Sequence, residues 1–403
     1  MKKTILIFTS LLLVASVWAQ QIDMQAHVGS DEGLAAYDDY LTEQADYYVG
    51  SCAPTALATL SGDQLFGVLN TLMGGTCLLE ASGYNYSYNS LRSAYVNVDR
   101  DLNNPGYIIG YYDGCKLNGQ WDGGSTWNRE HTWPQSKGAD KSISMGHDMQ
   151  SVRPTSTAVN SDRGNTAYGE SPNYYDPTDV AINNTAYKTI NRGSYRGDAA
   201  RVILYDYLVY GKVGNYQNDL YNGNAQLLNK LGTSGVFESV EVLLKWHMED
   251  PPSLTEMVRN DGGQDYQGNR NPFIDFPEIA VEILCSQVTT YNVTVATDLT
   301  MWPAYRHTTK RGFVVYLRDA LGNFPTDVQV TVTSNWTYEA AMGRLTVTNT
   351  SASVSITVPS DPSAIDATAA QYDTTAVYDI LGRPVSHMQK GQIYISNGKK
   401  FVY

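Results

Sequence analysis

Positive charge is scarce in this chain. Its 403 residues carry 28 Lys and Arg against 41 Asp and Glu, a formal net charge of −13. That balance excludes a molecule coated in basic residues for nonspecific adhesion to nucleic acid or anionic membrane, although not a local basic cleft. Cysteine is scarce too, with Cys52, Cys77, Cys115 and Cys285 and no C-x-x-C spacing, which argues against a zinc site. An even count allows two disulfides in an oxidising compartment, with the pairing left open. After residue 19 no run is long and apolar enough to span a bilayer, which takes about 20 residues. Low-complexity tracts and clear internal repeats are also lacking.

Both ends look like addresses. Met1–Ala19 has a basic start at Lys2 and Lys3, an apolar core from Ile5 to Val17, and small residues before Gln20, the pattern of a cleaved secretory signal. The last stretch, Ala376–Tyr403, alternates apolar and polar residues, with turn signals at Gly382 and Asn397-Gly398, and reads as a small β unit.

Three regions lie between. Residues 20–285 mix helical and irregular stretches: Ala53–Met73 has apolar residues at roughly helical spacing, and Asp198–Tyr210 and Phe237–Met248 read as buried helices, the latter stopped by Asp250-Pro251-Pro252. Residues 286–362 carry short alternating runs rich in Val and Thr (YNVTVATDL, GFVVYLRDA, VQVTVTSNWTY, GRLTVTNT, ASVSITVP), the pattern of an all-β sandwich. Residues 363–374 read as a linker rich in Ala, Asp and Thr, and 375–403 as the terminal β unit.

The chemistry concentrates in Trp127–Gly138, WNREHTWPQSKG. Glu130 beside His131 is the minimum set for metal-assisted hydrolysis: a carboxylate to hold a divalent cation and an imidazole to deprotonate water near neutral pH. In a regular strand adjacent side chains point to opposite faces, so both can serve one site only if the backbone is irregular or the strand ends there. A second block, His147–Gly169, contains Val159-Asn160-Ser161-Asp162-Arg163-Gly164-Asn165. A third, Gln267–Glu278, reads QGNRNPFIDFPE, with Leu244-Lys245-Trp246-His247 and Asp250-Pro251-Pro252 upstream. Arg153, Arg163, Lys188, Arg192, Arg196 and Arg201 form a candidate basic cleft, each of them equally readable as an ordinary solvated charge.

These three blocks, in this order over about Tyr47 to Leu284, resemble the bacterial endonuclease I family, exported nucleases with a ββα-metal site. The fold so implied is an α+β nuclease domain with a ββα-metal motif, followed by the β-sandwich-like domain and the small β unit. The resemblance implies Glu130 and Asn160 as metal ligands and His131 as general base. The cofactor is Mg²⁺, with Mn²⁺ or Ca²⁺ as alternatives, since hard cations take oxygen ligands. Arg129 and Arg163 are candidates to hold phosphate, Arg163 being as readily a buried salt bridge to Asp148 or Asp162. Arg153, Gln150, Asn165 and Arg270 are candidate substrate contacts. Asn165 is as readily a backbone cap, and the 267–278 block as readily a packing turn; for Trp133, core packing is favoured over base stacking. Gln150 stands where the family often has His, which leaves the base in place. The tail, with YDILGR at 378–383, GQIY at 391–394 and NGKK at 397–400, resembles the type A sorting domain of the Bacteroidetes type IX secretion system. The implied protein is a secreted or surface-delivered monomer, exported through the periplasm. It cuts DNA, and RNA by extension, to 5′-phosphate products with little sequence preference, and meets the secretion machinery through its tail. Two rivals stand beside this reading: a metal phosphodiesterase acting on a non-nucleic-acid substrate, which the acidic charge favours, and an inactive surface-binding protein.

Overall fold

The computed structural model describes residues 31–73, 87–102, 104–142, 144–177, 195–213, 216–217, 235–331 and 335–359, and in the tail 377–379, 385, 393–396 and 399–402. The signal segment, Cys77, Lys188, Arg192, the 363–374 linker and the expected turns at Gly382 and Asn397-Gly398 lie outside them. The chain forms two compact units, Met1–Val358 and Pro359–Tyr403.

The first half of the larger unit is mainly helical: α1 (Asp31–Tyr47), α2 (Gly62–Leu72), α3 (Leu91–Val98), α4 (Thr157–Arg163), α5 (Arg196–Tyr210), α6 (Val240–Glu249) and α7 (Leu254–Gln267). The helix expected over 53–73 is broken: Pro54–Leu57 makes one turn, and α2 starts afresh after Ser61-Gly62, where Gly62 has φ +52°. Helix α5 is buried on every side, from Gly197 to Tyr210. Its polar residues therefore face the interior and need partners there. Helix α7 opens with a capping box, in which Ser253 caps Glu256 N–H and the Glu256 carboxylate accepts from Ser253 N–H, and it ends at left-handed Gly268. It packs against α1 and α3.

Two antiparallel ladders sit among these helices: β1 (Tyr107–Ile109) with β2 (Lys116–Asn118), and β3 (Trp127–His131) with β4 (Val152–Ser156). In the second, Trp127 faces Ser156 and His131 faces Val152; α4 follows β4 directly at Thr157.

The expected β pattern after residue 286 forms two four-stranded sheets. One orders β10 (Trp336–Glu339), β11 (Arg344–Val347), β8 (Phe313–Asp319) and β6 (Leu299–Trp302); the other orders β9 (Gln329–Thr331), β12 (Val354–Thr357), β5 (Thr290–Val295) and β7 (His307–Thr309). All neighbours are antiparallel except β12 and β5, where Val354 pairs with Val293 in parallel. Phe313, Val315 and Leu317 of one sheet and Val293, Val354 and Ile356 of the other join a single apolar cluster, which continues into Leu65, Leu243 and Ile279 of the helical half. Arg306 also reaches the carbonyls of Ala58 and Leu60 and pairs with Glu282.

The smaller unit contains one antiparallel three-stranded sheet: β13 (Val377–Asp379), β14 (Ile393–Ser396) and β15 (Lys399–Val402).

Cys52 and Cys285 carry free thiols, so the four cysteines do not form two bridges. The Cys52 thiol is buried and donates to the Val68 carbonyl, and burial pushes its pKa up.

Candidate functional site

Strand β3 ends at His131, and its alternation divides the motif between two faces. On one face Asn128 and Glu130 meet α4. Asn160 Nδ2 donates to Asn128 Oδ1 at 2.5 Å, and the Arg163 guanidinium lies 3.2 Å from Glu130 Oε1. Asn160 and Arg163 stand three apart on the helix, the spacing that puts two side chains on one side. On the other face Arg129 and His131 both lie against Tyr88, whose ring centroid is 3.5 Å from the Arg129 Cζ and 5.4 Å from the His131 ring.

Glu130 is buried and tightly held. Its Oε1 accepts from the Tyr112 hydroxyl at 2.8 Å and pairs with Arg163, which leaves Oε2 uncommitted. Burial raises its pKa, against the lowering by Arg163 and Tyr112. Tyr112 is the one non-glycine with positive φ, +75°, among the described residues. A bulky side chain in that region is strained, and such strain persists where surrounding packing over-determines it. Here Tyr112 packs between Tyr111, Tyr175 and Tyr195, and its hydroxyl also meets that of Tyr168. No pattern in the sequence singles out Tyr112, because Tyr111-Tyr112-Asp113-Gly114 reads as a turn.

His131 is buried at 6% exposure, and its Nε2 lies 2.9 Å from the Gly146 carbonyl. Carbonyls only accept, so the proton sits on Nε2 and Nδ1 keeps its lone pair. Gln135 Nε2 donates to that Nδ1 at 3.3 Å. Burial lowers the His131 pKa to about 4, outweighing the Gly146 hydrogen bond. The ring is neutral at pH 7. Only glycine fits at 146: an added Cβ would lie 2.0 Å from the Asp140 carbonyl oxygen.

The other expected residues fall in different places. Arg163 is fully buried; beyond Glu130 it donates to the carbonyls of His131 at 3.1 Å and Thr132 at 2.7 Å. Its carboxylate partner is thus Glu130 and neither Asp148 nor Asp162. The guanidinium clamps the end of β3 to α4. Trp133 is buried and donates to the Lys137 carbonyl. Asn165 is exposed and bonds Ser136 Oγ at 3.1 Å.

Arg153, Gln150 and Arg270 are all buried: Arg153 lies opposite Glu130 in the β3–β4 ladder, whereas Gln150 and Arg270 lie among α7 and the 267–278 block. Arg153 is buried over the Tyr111 ring and near Asp99. Gln150 is buried against Gly263, donating to Asn260 and to the Asn269 carbonyl. Arg270 is sealed in by paired bonds to Asp275 at 2.9 Å and by Asp261 at 2.8 Å. The 267–278 block is a packing turn: Gln267 bridges Met149 N–H, Asp148 and Asn269, and Asn271 caps Phe273 while holding the Arg201 carbonyl.

The described members of the expected basic cleft are paired likewise. Arg201 is buried on Glu256, and Arg196 pairs with Asp176 and Glu249. A guanidinium drawn into the interior must be paired, because an uncompensated buried charge is costly.

Among the described residues no three His, Cys, Asp or Glu side chains gather as a metal site. A hard cation that keeps most of its waters needs fewer protein ligands. Glu130 Oε2 and Asn160 Oδ1 are the two uncommitted oxygens, one from β3 and one from α4, and they are the right donor type for such an ion.

Residues 79–278 match the endonuclease I family. The chain is 32% identical over 269 residues to an extracellular ribonuclease of Bacillus subtilis (strain 168), spanning 63% of this chain and 84% of that protein. It is 34% identical over 240 residues to an extracellular ribonuclease of Bacillus amyloliquefaciens, spanning 55% of this chain and 74% of that protein. This is a chain of the endonuclease I family, a family of nucleases. No helix among the described residues is long and apolar enough to cross a membrane.

Proposed function

We propose that the protein is a secreted, metal-dependent nuclease that hydrolyses phosphodiester bonds of RNA and DNA with little sequence preference. One observation carries this reading: β3 ends with an anchored carboxylate on one face and, on the next residue, a neutral imidazole whose unprotonated Nδ1 is held by the Gln135 amide. The names of the relatives support RNA as a substrate and an extracellular destination.

The chain's own residues divide the work. Glu130 and Asn160 would hold the divalent ion, Mg²⁺ by preference, through oxygen atoms. Such an ion supplies neutralisation of the charge that builds on the phosphate and on the leaving 3′ oxygen. Arg163 and Tyr112 orient Glu130. The Gly146 carbonyl fixes the His131 tautomer. With the Gln135 amide displaced, His131 Nδ1 would take the proton of the attacking water as its oxygen bonds to phosphorus; the bond to the 3′ oxygen breaks, that oxygen takes a proton from solvent, and a 5′-phosphate is left. An arriving phosphate anion favours the protonated imidazole, which couples proton uptake to substrate. The terminal β unit serves delivery outside the cell as a sorting domain, and the enzyme acts as a monomer.

Incubating purified protein with plasmid DNA and with structured RNA, with Mg²⁺ and with excess chelator, tests the proposal. Cleavage that stops with chelator and returns with Mg²⁺ is expected, leaving 5′-phosphate ends. Full activity in chelator overturns the metal mechanism, and no cleavage of either polymer overturns the nuclease reading.

A further inference from the structure

The guanidinium and aromatic groups nearest His131 form a ladder that the hydrolytic step does not use. From the His131 ring the order runs Tyr88, Arg129, Trp121, Arg92. The Arg129 Cζ lies 3.5 Å from the Tyr88 centroid and 5.2 Å from that of Trp121, and the Arg92 Cζ lies 5.3 Å from the Trp121 centroid. All four side chains are half-buried, which leaves part of each exposed. Among the described residues, the other arginines close to the motif are sealed into the interior or paired with carboxylates. Here the guanidinium groups rest on ring faces, with no carboxylate ion pair among their bonds. Arg129 donates to the Tyr88 carbonyl at 2.5 Å and Arg92 to the Asn89 carbonyl at 3.0 Å, and the Arg129 Nε has no hydrogen-bond partner. Asp122, beside Trp121, is occupied with the N–H groups of Gly124, Ser125 and Thr126, and Glu130, beside Arg129, with Arg163 and Tyr112.

We propose that Tyr88, Trp121 and Arg92 form, with Arg129, a docking strip for single-stranded nucleic acid leading to His131. The proposal rests on the nuclease reading above and adds the strandedness of its substrate. Unpaired bases extend the ladder by stacking on its half-exposed planes, the Arg92 guanidinium and the Trp121 ring, and the phosphates between them lie against the two guanidinium groups. Stacking on a protein ring needs a base free of its neighbours, which a duplex does not offer. The strip is therefore a selectivity device: single strands and loops gain contacts that paired regions lack. It also shows how an acidic protein grips a polyanion, by concentrating unpaired cations in one strip.

Direct binding tests this. A labelled phosphorothioate strand and its duplex are titrated into the full-length protein in chelator, with binding read by fluorescence anisotropy over a range of salt. The native protein should bind the single strand more tightly than the duplex. Trp121→Ala should weaken single-strand binding by about 5- to 150-fold and change duplex binding little. Arg92→Ala should flatten the slope of log K against log salt by about 0.7. Trp121 packs edge-on against Trp127, so Trp121→Phe serves as the variant that keeps the fold and should retain most of the single-strand affinity. A native protein that cleaves nucleic acid, alongside Trp121→Ala and Arg92→Ala variants that bind single strands as it does, overturns the strip and spares the nuclease reading. Equal losses for strand and duplex also overturn the strip. A native protein that neither binds nor cuts any nucleic acid overturns both.

Discussion

The helical half and the β half of the larger unit fill their interiors by opposite means. Between β5 and β12 the buried residues are mostly Val, Leu, Ile and Phe, with Arg318, which rests on the Phe324 ring, as the buried cation. Between α1 and residue 285 the interior also contains Arg163, Arg201, Arg259 and Arg270, with Glu130, Asp148, Asp198, Asp206, Glu256 and Asp275 around them. An apolar core is stabilised by area removed from water and tolerates rearrangement. A buried ionic network gains little net stability over apolar packing but penalises the loss of any one partner heavily. In this protein Arg163 ties α4 to the Glu130-His131 strand, Arg201 ties α5 to Glu256 of α7, and Arg259 ties α7 to Asp99 and to the start of β4. That placement fits a role in precision more than in stability.

The largest effect should fall on chemistry and leave the fold alone. His131→Ala is expected to lower turnover by about 10²–10⁴-fold, with the thermal midpoint of the native protein. Near-normal turnover would remove His131 as the base and place it with the structural residues of the same half.

Next in size is the direct contrast between the cores. Arg270→Ala strands Asp275 and should cost about 3–5 kcal/mol, whereas Leu317→Ala in β8 should cost about 2–5 kcal/mol according to how far the site collapses. The sharper difference lies in rescue. A volume-conserving Leu317→Met should recover most of the loss, and Arg270→Met should not, since the Asp275 and Asp261 charges stay behind. Denaturant midpoints of the four variants measure this. Full recovery by Arg270→Met would erase the distinction.

A smaller effect separates the halves by pH. His247 is fully buried and donates from Nε2 to the Pro277 carbonyl, while its Nδ1 has no partner. Burial, aided by Arg201, lowers its pKa to about 3. The unfolded chain takes up this proton near pH 6.5 and the folded chain only near 3, so this residue withdraws stability as pH falls through that window. Half-buried Asp250 works the other way, with its pKa raised by desolvation to about 7, and stability is withdrawn as pH rises toward that value. His247→Gln should therefore flatten the fall in thermal midpoint between pH 6.5 and 3 relative to the native protein. Identical pH profiles would show that the ring is charged or solvated in the fold.

The smallest effect is expected at the terminal unit. Deleting residues 371–403 should change the stability of the remainder by no more than about 0.5 kcal/mol, because the two units are compact separately. The truncated enzyme should stay active but remain in the periplasm of its host. Normal export would refute the sorting role, and aggregation would show that the tail covers a sheet edge.

Local pattern carried much of this protein. Alternation places the residues of β12, buried at Val354 and Ile356, whereas β8 is buried on both faces from Phe313 to Arg318, and α5 and α6 are legible as apolar runs. The Glu130-His131 pair and Asn160 are legible as candidate chemistry, while the third block, equally readable from sequence as a packing turn, is one. The break at Ser61-Gly62 was hidden because a single Gly does not by itself end a helix. What the sequence could not rank was its arginines. Arg129 and Arg163 stand in equivalent motifs, yet one lies half-exposed on an aromatic ring and the other is sealed against Glu130. Tyr112, strained and bonded to that same carboxylate, left no mark at all. Spacing along a chain sets which face a side chain takes. Whether that face meets water, a ring or a countercharge depends on residues far away in sequence, and only the folded structure brings those together.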